Sequence, residues 1–321
     1  MLRKILAVAA LALIAAPAFA QYPNKPITLI VPFSAGGPTD TVARSIAIAM
    51  QSVLKQTVVV ENVGGAGGTI GVARVAKASP DGYTVLLHHV GMSTAPALYR
   101  KLTFDPLKDF EYIGEVTDVP MTMIGRGNFP AKDFKEFLAY VKANKAKVSY
   151  GNAGLGSASH LCGLLFFSTI QTEITTVPYK GTGPAMNDLL GGQIDFMCDQ
   201  TTNTTSQIKS GKVKAFAVTT PKRVASLPNL PTMQEEGLKG FDVAVWHALY
   251  APKGTPKAAL DKLNEALVFA LKDEGVKKRF AELGTEPVPL EKATPAYLQK
   301  HLAAEIAKWG PIIKAAGQYA D

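Results

Sequence analysis

Cysteines, long apolar runs and blocks of charge are scarce in this 321-residue sequence. Beyond the N-terminus, no apolar run reaches the ~20 residues that a membrane-spanning helix needs. The two cysteines, Cys162 and Cys198, have neither Cys-x-x-Cys spacing nor neighbouring histidines, which argues against a metal site. Their spacing is compatible with either a disulfide or two buried free thiols. The absence of an arginine-rich arm and of interleaved aromatic and basic residues argues against nucleic-acid binding.

Residues 1–20 have the pattern of a secretory signal peptide. Arg3 and Lys4 precede an apolar run over residues 5–16, and Ala18-Phe19-Ala20 has the small-x-small form that signal peptidase cuts. An N-terminal membrane anchor is the alternative, but the run is too short to span a bilayer. We therefore predict export to the periplasm with cleavage after Ala20. The remaining 301 residues contain 32 basic and 26 acidic residues, a net charge of +6 that weakly favours an anionic solute.

The mature sequence alternates short apolar runs with helical periodicity, which is typical of α/β proteins. Residues 27–31 predict a buried strand, and Val42, Ile46 and Met50 follow it at helical spacing. The length favours two domains of ~150 residues each. Segments 116–124 and 241–250 are candidates for the two places where the chain passes between domains, which would form a hinge.

Three turns rich in Gly, Ser and Thr, at residues 34–40, 152–160 and 179–185, each join a predicted strand to a predicted helix. The first N–H groups of a helix have no partner within it and lie at its positive end. Glycine lets an anion approach these groups closely, and hydroxyls add donors. Ordinary helix capping is the alternative for a single turn. Three such turns favour a shared anion pocket at the carboxyl ends of the strands.

Two motifs suggest other activities. The glycine-rich loop 62–71 follows a predicted strand and opens a helix, but Ile70 occupies the third glycine position of a dinucleotide-binding fingerprint. Ser157 and His160 are three residues apart at a helix start, so both could face a cleft as nucleophile and base. Ser159 breaks the Gly-x-Ser-x-Gly pattern of such hydrolases.

Several further polar and aromatic residues are candidates for the wall of a pocket. His88 and His89 end the third strand, and strand alternation predicts that one points inward and the other outward. Neither has a carboxylate or cysteine at metal-binding spacing, so we predict no zinc. Trp246 and His247 could wall the pocket or belong to the core. Asp199, predicted just beyond a strand end, could accept a hydrogen bond from a solute.

Several segments together resemble the Bug proteins, the periplasmic receptors of tripartite tricarboxylate transporters. Val31-Pro32-Phe33-Ser34-Ala35-Gly36-Gly37, followed by Asp40, is similar to the family's first signature. The segments similar to later signatures are 62–71, 79–84, 151–160, 177–185 and 188–195. Their order and spacing match over the whole mature chain.

The resemblance implies an α/β, two-lobed, periplasmic-binding-protein-like fold, in which each lobe is a mixed β-sheet flanked by helices and the ligand cleft lies between the lobes. We assign residues 21–122 and 247–321 to lobe 1 and residues 123–246 to lobe 2. The implied function is capture of a small carboxylate, either a dicarboxylate or an aromatic or heteroaromatic acid, for integral-membrane transporter subunits. Neither chemistry nor a cofactor is expected, and a monomer is expected. A periplasmic serine hydrolase and a sensory module are the alternatives.

The resemblance also places the ligand site, with the carboxylate held by backbone N–H groups, hydroxyls and waters. The implied ligand-binding residues are Phe33, Ser34, Ala35, Gly36, Asp40, Asn152, Gly156, Ser157, His160, Tyr179, Thr182 and Asp199, and to these we add His88 from its place at the end of the third strand. His88 stands where many family members have a Gly-Ser-Asn-like sequence. This departure leaves the identity of the solute open.

Overall fold

Nine strands form one mixed β-sheet among the described residues, which are 22–315, 317 and 319 of this computed structural model. The predicted signal peptide, residues 1–20, lies outside the described residues. Within the described part of the chain, no helix is both long and apolar enough to cross a membrane. The α/β class predicted from the sequence is confirmed.

The strands alternate with helices along most of the chain. The strands are β1 (Ile27–Val31), β2 (Val58–Asn62), β3 (Thr84–His89), β4 (Phe110–Arg126), β5 (Ser149–Asn152), β6 (Thr175–Pro178), β7 (Phe196–Gln200), β8 (Val213–Val218) and β9 (Ala244–Pro252). The helices are α1 (Pro38–Leu54), α2 (Thr69–Ala76), α3 (Gly91–Leu98), α4 (Phe134–Ala143), α5 (Ala158–Ile170), α6 (Thr182–Leu190), α7 (Thr201–Lys209), α8 (Lys257–Lys272), α9 (Glu274–Glu282) and α10 (Pro295–Ala315).

Strand β4 joins two halves of the sheet. Its residues Phe110–Pro120 pair with β9, which also pairs with β3, and β3 and β2 lie parallel to β1 on either side of it. Its residues Met121–Arg126 pair with β7 and β8, and β5 lies parallel to both β7 and β6. We call the group of β1, β2, β3 and β9 the first half-sheet and the group of β5–β8 the second half-sheet. The predicted crossing segments fall on β4 and β9.

Helix α1 illustrates how the sequence positions the site. Pro38 lies in its first turn, where the missing N–H costs nothing. Val42, Ile46 and Met50 form its buried face and pack in a core with β1, β3 and α8. This packing fixes the start of α1 at the carboxyl end of β1.

Two boundaries differ from the predictions for identifiable reasons. The sequence pattern of residues 130–144 predicts a helix, but α4 begins only at Phe134, because Asp133 accepts a hydrogen bond of 2.8 Å from the backbone N–H of Glu136 and caps the helix there. Strand β7 extends to Gln200, so Asp199 lies within the strand rather than just beyond its end.

Candidate functional site

The three Gly-, Ser- and Thr-rich turns follow β1, β5 and β6, and they meet where the two half-sheets face each other. The backbone N–H of Ser34, in the first turn, donates a hydrogen bond of 3.0 Å to the carbonyl of Lys180 in the third turn. In the second turn, the carbonyl of Asn152 accepts a hydrogen bond of 2.8 Å from Tyr179. The structure therefore brings together the turns for which the sequence predicts a shared pocket.

A narrow cavity lies between these turns. Its walls are Phe33, Pro38, Thr39, His89, Ala153, Ser157, Ala158, Ser159, Thr182, Asp199 and Gln200. About 10 Å³ of it is open to the centre of a water molecule, which is room for about one water. Among these described wall residues there is no lysine and no arginine, so the donors that face the cavity are neutral.

Four helices begin at this cavity. Pro38, Ala158 and Thr182 are the first residues of α1, α5 and α6, and Gln200 is the N-cap of α7; all four line the cavity. Each helix start carries unpaired N–H groups and the positive end of the helix dipole. The cavity is therefore suited to an anion.

The carboxylate of Asp40 orders the first turn. It accepts hydrogen bonds from the backbone N–H of Gly36 at 3.0 Å, from Arg44 Nε at 2.9 Å and from Asn62 Nδ2 at 3.0 Å. Burial of the carboxyl opposes its ionisation, but the hydrogen bonds from Arg44, Gly36 and Asn62 outweigh this effect and lower the pKa of Asp40. Both of its oxygens are thus engaged in holding the turn.

The remaining residues of the first turn face different surroundings. Phe33 lines the cavity and stacks on His89, with ring centroids 4.6 Å apart. The Ser34 hydroxyl is buried and has no hydrogen-bond partner among the described residues. Ala35 and Gly36 are exposed. Of Phe33, Ser34, Ala35 and Gly36, Phe33 is the one that lines the cavity.

In the second turn, Ser157 caps helix α5. Its Oγ accepts a hydrogen bond of 3.2 Å from the backbone N–H of His160 and lies 3.1 Å from Ser159 Oγ. Ser159 Oγ in turn accepts from the backbone N–H of Ala153 at 2.8 Å. These bonds present both hydroxyls to the cavity from a fixed backbone.

Asn152 and His160 border a second pocket, which lies beside the cavity and also contains Leu155 and Tyr319. Asn152 Oδ1 accepts a hydrogen bond of 2.8 Å from the backbone N–H of Gly154, and His160 Nδ1 accepts one of 3.3 Å from that of Gly156. Ser157 and the His160 ring therefore line different spaces.

Asp199 of β7 and Thr182 of α6 line the cavity side by side. Thr182 Oγ1 donates to Asp199 Oδ1 at 2.9 Å, and Asn203 Nδ2 donates to Asp199 Oδ2 at 2.6 Å. Burial raises the pKa of Asp199 to about 6, because the hydrogen bonds only partly offset the loss of solvation. In contrast, Tyr179 directs its hydroxyl to Asp188 Oδ2 at 2.6 Å, and its side chain is not among the cavity walls.

The two histidines of β3 are both buried, so neither points outward to solvent as the alternation predicted. Their ring centroids lie 4.8 Å apart. His89 lines the cavity, whereas His88 does not, and Nδ1 of His88 has no partner among the described residues. Burial lowers the pKa of His88 to about 3 and that of His89 well below its usual range, so both rings are neutral.

The structure also separates Trp246 from His247. Trp246 packs on His301 and donates to Glu305 Oε2 at 3.3 Å, so it belongs to the core. His247 Nε2 lies 3.3 Å from Oγ1 of Thr39, a cavity residue. Sequence reasoning did not assign Thr39 to the ligand site, although its place at a helix start was a signal for it.

A disulfide connects the elements that carry the site. Cys162 of α5 is bonded to Cys198 of β7, with Cα atoms 6.2 Å apart, and both are fully buried. Cys162 lies two residues after His160, and Cys198 directly precedes Asp199. The disulfide is one of the two alternatives that the spacing left open.

Comparisons with known proteins identify relatives of the whole chain. A family described as "Tripartite tricarboxylate transporter family receptor" matches residues 42–318. An Agrobacterium vitis protein, the UPF0065 protein in the TAR-I ttuE-ttuC' intergenic region, is 52% identical and covers 93% of this chain and 86% of its own. The solved structure of the periplasmic binding protein BugD is 54% identical, with a TM-score of 0.92, covering 94% of this chain and 100% of its own. MatC from Rhodopseudomonas palustris with bound malate is 40% identical, with a TM-score of 0.87, covering 91% and 100%.

Proposed function

Because the chain belongs to the tripartite tricarboxylate transporter receptor family, we propose that it is a periplasmic receptor that binds a small aliphatic dicarboxylate for the membrane subunits of such a transporter. The observation that carries this proposal is the convergence of four helix starts on one cavity without basic side chains among its described walls. Backbone N–H groups and hydroxyls there can hold a carboxylate without a salt bridge.

The narrowness of the cavity favours an aliphatic dicarboxylate over an aromatic acid. The hydroxyls of Thr39, Ser157 and Thr182 surround a space of about one water molecule, so the walls must separate to admit any solute. A flat ring requires more separation of Phe33 from the opposite wall than a narrow chain does. The relative with bound malate, at 40% identity, supports the same class of ligand.

Opening and closing of two lobes would admit and enclose the solute. We propose that lobe 1 comprises residues 21–122 and 247–321 and that lobe 2 comprises residues 123–246, with β4 and β9 as the hinge. The pairing of β4 with strands of both half-sheets supports this division. Closure would then carry the starts of α5, α6 and α7 toward the start of α1.

The geometry of Ser157 and His160 supports a receptor rather than a hydrolase. A serine nucleophile needs its hydroxyl to donate to an imidazole nitrogen. Here Ser157 Oγ accepts from the backbone N–H of His160, and His160 Nδ1 accepts from Gly156. The serine functions as a helix cap in this arrangement, and we propose that the chain performs no chemistry.

Titration calorimetry with L-malate, succinate and terephthalate tests the proposal. We expect saturable 1:1 binding of an aliphatic dicarboxylate, weaker binding of terephthalate, and no hydrolysis of nitrophenyl esters. Ser157→Ala and Thr182→Ala should each weaken binding about tenfold, because Ser157→Ala removes a hydroxyl from the cavity wall and Thr182→Ala removes the hydrogen bond that holds the Asp199 carboxyl in it. Ser206→Ala, at an exposed position of α7, is the matched control. Ester turnover that is lost in Ser157→Ala would contradict the proposal.

A further inference from the structure

The glycine-rich loop 62–71 lies against the second turn of the opposite half of the molecule. A β-carbon at Gly67 would clash with the carbonyl oxygen of Leu155 and would lie 2.8 Å from Tyr99 Oη. A β-carbon at Gly64 would lie 2.8 Å from the carbonyl oxygen of Lys180. At loop 62–71, the backbones of the two halves of the molecule therefore approach each other so closely that a side chain would not fit between them.

Helix α3 and the residue after it hold the same turn by hydrogen bonds. Tyr99 Oη donates to the carbonyl of Leu155 at 2.8 Å, and Thr94 Oγ1 donates to the carbonyl of Gly156 at 3.0 Å. Thr94 is fully buried, and Tyr99 is half-buried. Neither side chain is among the cavity walls.

The carbonyl groups that Tyr99 and Thr94 bind, those of Leu155 and Gly156, directly precede the start of α5 at the cavity. Gly154 and Gly156, which flank Leu155, have φ values of +98° and +82°, a backbone conformation that glycine adopts readily. The next residue, Ser157, caps α5 and lines the cavity. A displacement of the Leu155 and Gly156 carbonyls would therefore move a donor group of the site.

We propose that Thr94 and Tyr99 are positioning residues that hold the second turn in the closed arrangement, and that Gly67 is a glycine because closure leaves no room for a side chain there. This inference rests on the proposed receptor function for its effect on affinity. Its effect on the shape of the ligand-free protein does not depend on which solute is bound.

The two proposed elements can be changed separately, each with a matched control. Gly67→Ala adds the clashing β-carbon, and Gly211→Ala is its control. The two glycines have similar φ values, +59° and +69°, so both substitutions strain the backbone in the same way. Gly211 has open space around it, so its β-carbon would meet no other atom. Tyr99→Phe removes the hydroxyl and keeps the ring. Tyr297→Phe is its control, because the Tyr297 hydroxyl makes no hydrogen bond with any described residue and its ring contacts His301 rather than the second turn.

Small-angle scattering of the ligand-free proteins and calorimetry with L-malate provide the readouts. We expect Gly67→Ala to increase the radius of gyration, and Tyr99→Phe to do so to a smaller extent. Apparent dissociation constants should rise about two- to tenfold for Tyr99→Phe and further for Gly67→Ala. The reason is that a smaller fraction of the molecules would be in the closed arrangement that binds the ligand. Melting temperatures separate these effects from a general loss of stability.

Each outcome bears on the inference. If Gly67→Ala scatters as Gly211→Ala does, and Tyr99→Phe as Tyr297→Phe does, the inference is overturned. It is also overturned if the ligand-free parent is already as expanded as Gly67→Ala. If the parent binds no dicarboxylate but the scattering differs as expected, the proposed ligand class fails while the positioning role stands.

Discussion

Thr182 Oγ1 donates a hydrogen bond of 2.9 Å to Asp199 Oδ1, which places a buried acid in the wall of a cavity that we propose binds an anion. Burial raises the pKa of Asp199 to about 6. The neighbouring rings of His89 and His247 stay neutral at this pH, because burial lowers the pKa of each. Asp199 is therefore the cavity group that changes charge between pH 5 and pH 7.

We predict that a dicarboxylate binds more tightly at pH 5.5 than at pH 7.5. Above its pKa of about 6, Asp199 carries a negative charge that repels the ligand. Calorimetry at both pH values measures the ratio of dissociation constants, which we expect to be about three- to tenfold. In Asp199→Asn the ratio should shrink, and a variant that keeps the parent's ratio would assign the pH dependence to another group or to the ligand itself.

The same pKa shift predicts the direction of a stability change. A carboxyl whose pKa is raised by folding binds more protons in the folded state than in the unfolded state between pH ~4 and ~6. The free energy of unfolding should therefore fall across this window as the pH rises. Urea unfolding of the parent and of Asp199→Asn at pH 4.5 and pH 7 isolates this contribution, which the variant should lack.

Asp40→Ala should weaken dicarboxylate binding about tenfold or more, because the first turn loses the acceptor of the Gly36 N–H and the partner of Arg44. Asp133→Ala is a matched control, since Asp133 also accepts a backbone N–H at a helix start but lies away from the cavity. Both variants should lose about 1–2 kcal/mol of stability. Equal affinity in the two variants, measured by calorimetry, would show that Asp40 does not order the site.

The sequence predicted the parts of the molecule that follow from local pattern. The resemblance to the Bug proteins and the two-lobed fold are confirmed by the family match and by solved structures of relatives. The three turns could be placed together because each follows the carboxyl end of a strand, where α/β proteins bind their ligands. Asp199 could be named as a candidate from the sequence, although its position within β7 could not be predicted.

Other elements depend on packing that local pattern does not encode. Helix α3 contains Pro96, and α7 begins with two threonines in a polar sequence, so neither has strong helical propensity. Pro120 and two glycines divide the sequence of β4 into several short apolar runs, yet the strand pairs with both half-sheets. Local pattern also could not show that His89, rather than His88, lines the cavity, because this depends on how other elements cover the sheet.

Loss of the disulfide should lower stability more than affinity. The Cys162–Cys198 bond spans 36 residues, for which chain entropy predicts about 3–4 kcal/mol as an upper estimate. We expect Cys162→Ala/Cys198→Ala to melt several degrees below the parent in a thermal scan. A thiol titration of the denatured, unreduced parent should detect no free thiol. Two free thiols per chain, together with an unchanged melting curve in reductant, would contradict the bridge.

The contact of His301 with Glu115 should make the attachment of α10 dependent on pH. Glu115 is buried in β4, and its carboxylate contacts His301 Nδ1. Burial opposes protonation of the imidazole, but the hydrogen bond and charge of Glu115 outweigh it and raise the pKa of His301. A raised histidine pKa contributes stability that is present below the unfolded value of ~6.5 and is lost as the pH rises through the folded value.

We therefore predict that His301→Gln lowers the free energy of unfolding by about 1–3 kcal/mol at pH 6 and by less at pH 9. Urea unfolding at the two pH values measures the difference, and Lys300→Gln, at an exposed neighbouring position, should leave it unchanged. An equal loss at both pH values would mean that His301 acts by packing on Trp246 rather than by charge.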